Sequence, residues 1–367
     1  MVPDLQAAGD QGLTSLRVCH LSPTYFAPES VLGGGERYAE EVARAMAGRA
    51  EVKLVSFGPR ELRERPAPAF ERVILRSRTR DPMTPCSAGL FRELRGADVI
   101  HCYQYFVLPT FLACVQGRLQ GSRVFVTDLG GGGWTPGYQI DQSRWIAAHL
   151  PTSDYAAHSL PGRNQRHFVI HGGIDPARYP MRAEPAHDGS VAFLGRVLPH
   201  KGIHFLIEGL PAEVPLHVIG PARDPAYIGR LRELVQGKEV QFHGALSDDE
   251  VIAILGHAMA LVHPTPVDAS GSAGAHELFG LALVEGMARG CPVIASGVAS
   301  LPEIVEDGVT GLLVAPNDPA AIGRAIGRLR DDPVLWTSMS RAGRRRVEER
   351  FTWERVAGRC LEAYGEA

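Results

Sequence analysis

Two glutamates eight residues apart, Glu277 and Glu285, stand in the stretch HELFGLALVEGMARGCPVIAS. Carboxylates at that spacing allow four readings: an acid/base pair, a shared metal, two acceptors for a ligand, or the solvated edge of a helix. On one continuous helix they lie about 12 Å apart along the axis and about 80° apart around it, too far to share a proton or a small metal ion. A helix beginning near Gly280, with Glu277 in the loop before it, suits the residues better. Its N-terminus offers free N–H groups to an anion, and the two carboxylates address neutral hydroxyls on either side. A carboxylate accepts well from vicinal hydroxyls, and a nucleoside diphosphate sugar carries hydroxyls, two phosphates and hydroxyls in that order.

A second basic group of residues matches an anionic ligand. FLGRVLPHKG places Arg196 just beyond the strand-ending Gly195, with Lys201 and Gly202 after it. One guanidinium fork, one ammonium and a helix start can meet a phosphate there, or the loop is merely solvated. The stretch is neither a G-x-x-x-x-G-K-[ST] loop nor a G-x-G-x-x-G turn. Gly33 to Tyr38, GGGERY, opens a helix whose bare backbone can approach a ligand closely. Gly130 to Gly133, followed by Trp134, read as a mobile loop or as a surface linker. His171, His243, His263 and His276 each border a strand-end loop, where a histidine either bonds a ligand or packs. No metal is expected: there is no H-E-x-x-H and no calcium-loop spacing. No G-x-S-x-G elbow offers a serine nucleophile.

The elements that must position these residues alternate. SLRVCHLSP, EVKLVSFG, ADVIHCYQ and SRVFVTDLGGG read as short apolar strands, with a helix from GGGERYAEEVARAMAGRA whose Tyr38, Val42, Ala45 and Met46 recur every three to four residues. HLPTSDYAAHSL and RHFVIHGGID continue that pattern. A proline-rich, polar segment from Pro176 to Ser190 predicts a linker. After it the alternation restarts, with a capping box at Ser247 and Glu250 on SDDEVIAILGHAM. At 367 residues the chain exceeds one hydrophobic core. The expectation is α/β: two facing Rossmann-like domains with an interdomain cleft, residues 1–185 and 186–347, and a C-terminal segment 348–367.

A formal net charge of -3 gives no general attraction to nucleic acid. Six scattered cysteines without a C-x-x-C pair suit reduced, mostly buried thiols rather than a disulfide frame. The first residues lack a basic-then-apolar signal, and no apolar run approaches about 18 residues. These features predict a cytoplasmic location. Peripheral contact at the inner membrane face stays open, because RELRERPAPAF and LFRELRG are basic and partly apolar.

Taken together, HELFGLALVEGMARGCPVIAS resembles the E-x7-E signature of the retaining glycosyltransferases of family four, built on the GT-B fold. The resemblance extends over GGGERYAEEVARAMA, ADVIHCY, HFVIHGGID, FLGRVLPHKG, VQFHGAL, LPEIVEDGVTGLLV and the tail FTWERVAGRCLEAY. It implies transfer of a sugar from a nucleoside diphosphate sugar (UDP- or GDP-hexose type) to a hydroxyl acceptor, without metal or other cofactor. Arg196 and Lys201 would hold the diphosphate, Glu277 the transferred sugar and Glu285 the ribose. The backbone of Phe279, Gly280 and Leu281 would lie over the phosphates, Gly34 and Gly35 would close on the donor, and His243 would join the donor side. His101 is implied among the catalytic residues, with Tyr103, Asp128 and Trp134 toward the acceptor. Trp353 and Tyr364 would anchor a tail helix that crosses back to the first domain. The chain departs from the family at Tyr103 and Asp128, where histidines are usual, at ASGVASLPEIV, and in the long lead-in TPVDASGSAGAHELFG. The acceptor is a small molecule, an oligosaccharide or a lipid-linked alcohol. Two other readings remain: a non-catalytic sugar-nucleotide or glycan-binding protein, and a nucleotide-sugar epimerase of the same fold.

Overall fold

The computed structural model describes residues 16–26, 34–81, 83–130, 133–159, 166–181, 186–273 and 277–367. Gly33, Gly131, Gly132, His276 and residues 182–185 of the expected linker lie outside that set. The chain forms two compact units, each built on one sheet.

The first unit comprises β1 (Arg17–Tyr25), α1 (Gly34–Met46), β2 (Glu51–Gly58), β3 (Leu62–Ala67), β4 (Phe70–Arg76), α2 (Leu90–Leu94), β5 (Val99–Tyr103), α3 (Leu108–Gln120), β6 (Arg123–Thr127), α4 (Thr135–Gln139) and β7 (Ala148–His149). Its sheet runs β3-β4-β2-β1-β5-β6-β7. All pairs are parallel except β3 with β4. Central strands such as β5 are buried throughout, as strands covered on both faces must be. On α1 the buried residues are Tyr38, Ala39, Val42, Ala43 and Met46, one stripe at helical spacing.

RELRERPAPAF forms no amphipathic helix. Its Pro66 and Pro68 forbid one, and the segment becomes the edge strand β3 with Leu62 opposite Ile74 and Glu64 opposite Arg72. LFRELRG supplies only the five-residue α2. Among the described residues no helix is long and apolar enough to cross a membrane.

The second unit holds α5 (Asp154–Ser159), β8 (Val191–Leu194), α6 (Ile203–Gly209), β9 (Leu216–Ile219), α7 (Pro225–Leu234), β10 (Val240–Gly244), α8 (Asp248–His257), β11 (Ala260–His263), α9 (Leu281–Ala288), β12 (Val293–Ser296), α10 (Leu301–Ile304), β13 (Gly311–Val314), α11 (Pro319–Asp331) and α12 (Pro333–Arg350). Most of α13 (Trp353–Glu366) follows in the same unit. The parallel sheet is ordered β10-β9-β8-β11-β12-β13. Three helices open on Asp-Pro. Asp224, Asp318 and Asp332 each accept from the N–H three residues on, while proline occupies the first turn. The capping box of Ser247 and Glu250 is formed on α8.

The units divide between His149 and Leu150, ahead of the proline-rich segment rather than within it. Ile174 and Tyr179 are buried in the apolar cluster of Phe279, Leu283 and Phe351, which ties this stretch to the second unit. RHFVIHGGID therefore adds no strand to the first sheet; Ile170 N–H donates to Pro151 O (2.9 Å) instead. The expected C-terminal helix 348–367 is α13 from Trp353. Its residues count with the second unit to Ala363, and Tyr364–Ala367 with the first.

Candidate functional site

The E-x7-E stretch lies at the C-terminal ends of β11 and β12, where open parallel sheets bind ligands. As expected, α9 starts at Leu281, and Gly280 is its cap residue at φ 98°, ψ 50°. That left-handed conformation is costly for any residue bearing a Cβ. Glu277 sits in the loop, and Glu285 lies on the helix.

Hydroxyls pin this loop from behind. Ser300 Oγ is 2.9 Å from both Glu277 O and Phe279 O. Thr152 Oγ1 and Ser153 Oγ donate to Leu278 O (3.0 and 2.7 Å). Glu303 accepts from the N–H groups of Asp154 and Tyr155 (2.8 and 2.9 Å), fastening α5 beside the same loop. With three successive carbonyls turned to these hydroxyls, the N–H groups of Phe279, Gly280 and Leu281 donate to nothing among the described residues. Free N–H groups at a helix start are of the kind that can meet an anion.

Glu277 is buried, and its Oε2 is 2.6 Å from both Lys201 Nζ and His263 Nε2. Burial alone would raise its pKa. The Lys201 ammonium and the His263 imidazole outweigh that and hold the carboxyl well below the usual range. Lys201 is set by Gly202, which follows it at φ 69°, ψ 18°. A Cβ on Gly202 would stand 1.9 Å from Pro264 O, so only glycine lets this turn pack on the end of β11. Arg196 is exposed and makes no ion pair among the described residues. Glu285 Oε1 accepts from Tyr179 Oη (3.3 Å), and burial beside Glu285 pushes that phenol's pKa up.

Other expected site residues fall elsewhere. His243 Nε2 is 3.0 Å from His217 Nδ1 on neighbouring strands, and burial with His243 nearby lowers the pKa of His217. Asp128 Oδ1 accepts from Gly130 N–H (2.8 Å). In the first unit Gly34 and Gly35 begin α1. Trp134 caps α4, its N–H donating to Phe106 O (2.6 Å).

His101 is fully buried, with Nδ1 2.7 Å from Tyr364 Oη and Nε2 2.8 Å from Thr127 Oγ1. Burial, then His20 and His149, hold its pKa well below normal. Both ring nitrogens are committed to packing partners, which does not support the catalytic role the resemblance implies. Tyr103 is likewise buried, 2.8 Å from His20 Nδ1.

Sequence reasoning missed the pinning hydroxyls of Thr152, Ser153 and Ser300, and it named His263 without its partner. The available signal was a histidine ending the otherwise apolar ALVH strand. Among the described residues no three His, Cys, Asp or Glu side chains converge as a metal site would require. Five of the six cysteines are buried, Cys86 being exposed.

Residues 182–346 match the family model of glycosyl transferases group 1. The glycogen synthase of Mycobacterium tuberculosis (strain ATCC 25618 / H37Rv) is 28% identical over 291 residues, 73% of this chain and 68% of that protein. The chain spans about half the length of the mannosyltransferase and inositol-phosphate glycosyltransferase relatives it also matches. Anabaena Alr3699/HepE, solved in complex with UDP, superposes with a TM-score of 0.75 at 16% identity, covering 96% of this chain and 100% of that one. Sucrose-phosphate synthase from Thermosynechococcus elongatus superposes with a TM-score of 0.73 at 23% identity, covering 95% and 98%. At these identities the structural likeness concerns the fold. The two Rossmann-like units are those of the GT-B fold, and the family match lies within the second of them.

Proposed function

We propose that the chain transfers a hexose from a nucleoside diphosphate hexose to an alcohol acceptor, with retention at the anomeric carbon and without a metal ion. The observation that carries this reading is the pinned loop before α9, whose three N–H groups without a partner among the described residues lie in the chain between Glu277, held by Lys201, and Glu285. Arg196, Lys201 and the helix start meet the diphosphate, and Glu285 accepts from the ribose hydroxyls. Glu277 addresses the sugar through Oε1, which accepts no hydrogen bond among the described residues.

In the reaction the bond from C1 to the β-phosphate oxygen breaks as the acceptor oxygen bonds to C1 on the same face, and the acceptor's hydroxyl proton passes to the leaving phosphate oxygen. Negative charge developing on the leaving diphosphate is offset by the two cations and the loop N–H groups. Support for a diphosphate donor also comes from the UDP complex of the HepE structure.

The test begins with a thermal-shift series against UDP, GDP, ADP and dTDP sugars, in which the true donor raises the melting temperature by mass action. Nucleoside diphosphate release is then followed with alcohol acceptors, and the product anomer is assigned by NMR. Activity is expected to survive EDTA. Undiminished turnover in the double variant Arg196→Ala, Lys201→Ala overturns the phosphate assignment.

A further inference from the structure

One of the two groups on Glu277 has no other task. His263 Nε2 lies 2.6 Å from Glu277 Oε2, whereas its Nδ1 is buried and meets no partner among the described residues. The ring lies nearly parallel to Phe193, centroids 6.4 Å apart at 6°, which fixes its plane. An ionised carboxylate only accepts, so Nε2 carries a proton and donates. Lys201 Nζ donates to the same oxygen at 2.6 Å. A single carboxylate oxygen thus holds two strong donors, one on a stiff ring and one on a flexible four-carbon stem.

We propose that His263 is a positioning residue that releases Lys201: it keeps Glu277 partnered when the ammonium swings to the donor's diphosphate. The inference rests on the nucleoside diphosphate reading above. Without the imidazole, moving Lys201 leaves a buried carboxylate charged and unpaired, a loss charged against donor binding. Lys201 then stays on Glu277, and the diphosphate loses one of its cations.

The experiment is calorimetric titration of the full chain with UDP, GDP, ADP and dTDP, and with the nucleoside of whichever diphosphate binds. His263→Leu is expected to weaken the diphosphate on the order of ten- to a hundred-fold and leave the nucleoside unchanged. His263→Gln, whose amide N–H reaches the place of Nε2, restores most of the affinity. His263→Asn, whose amide overlies Nδ1 and stops short of Glu277, follows the leucine variant. In a Lys201→Ala background His263→Leu adds no further loss, because no ammonium remains to release.

Wild-type diphosphate affinity in both the leucine and the asparagine variants overturns the proposal. So does a parallel loss of nucleoside affinity, or an undiminished effect in the Lys201→Ala background. A wild-type chain that binds none of the four diphosphates overturns the donor reading, and the proposal with it.

Discussion

Replacing Ser300 by alanine removes one oxygen atom, yet it takes the partner from two carbonyls at once. The residue is fully buried, and its Oγ lies 2.9 Å from Glu277 O and from Phe279 O, themselves in buried residues. A buried acceptor left unsatisfied costs about 1–3 kcal/mol. One shared proton satisfies each carbonyl only in part, so the joint loss is about 3 kcal/mol rather than twice the upper figure. In a unit of this size that corresponds to a fall of roughly 6–12 °C in melting temperature. The freed loop also loses the orientation of the N–H groups at residues 279–281, and nucleoside diphosphate affinity falls about ten-fold, one lost hydrogen bond to a charged group. Thr152→Val provides the contrast, because Leu278 O keeps Ser153 Oγ at 2.7 Å. That variant costs only about 0.5–1.5 kcal/mol. Scanning calorimetry reads stability, and isothermal titration reads affinity. If Ser300→Ala melts with the wild type, or if Thr152→Val costs as much, the pinning argument is wrong.

Two further outcomes follow from the same site. Gly202→Ala combines a left-handed backbone at φ 69° with a Cβ 1.9 Å from Pro264 O, whereas Gly237→Ala has φ 76° and open space. The first should lose about 2–4 kcal/mol and most diphosphate binding, the second about 1 kcal/mol, by denaturant titration; equal losses would show that Pro264 is irrelevant. Glu277 has its pKa depressed by Lys201 and His263 against the effect of burial, so its contribution is present above the unfolded pKa and fades as pH falls below about 4.5. Glu277→Gln should flatten the acid limb of the stability curve there, and an unchanged slope would mean the carboxylate is not held ionised.

The repeat of short apolar strands and amphipathic helices was legible because period-two and period-3.6 patterns follow from local backbone geometry. So were the start of α9 just after Gly280 and the capping box of α8, since both depend on residues within one turn. The stretch 150–181 was not legible as part of the second unit. Its attachment depends on Ile174 and Tyr179 packing with Phe279 and Phe351, residues about a hundred or more positions away. The edge strand β3 was hidden because its charges are satisfied by other elements, Arg63 by Glu71 of β4 at 2.7 Å and by Glu93 of α2 at 2.8 Å, and not along a helix face of its own.

What the sequence determined by itself was the set of groups a ligand could meet: two carboxylates flanking a helix start, a guanidinium, an ammonium and glycines where the backbone can come close. Residue type and short spacing suffice for that, because they set charge, hydrogen-bonding capacity and local turn geometry. Only the tertiary structure decided which of these groups are free. It joined Lys201, His263 and Glu277 on one oxygen, closed both nitrogens of His101 on packing partners, and turned the loop carbonyls toward Ser300, Thr152 and Ser153. Those pairings join residues up to 263 positions apart. Burial makes an unmet polar group costly, so it is the packed fold that selects which pairs form.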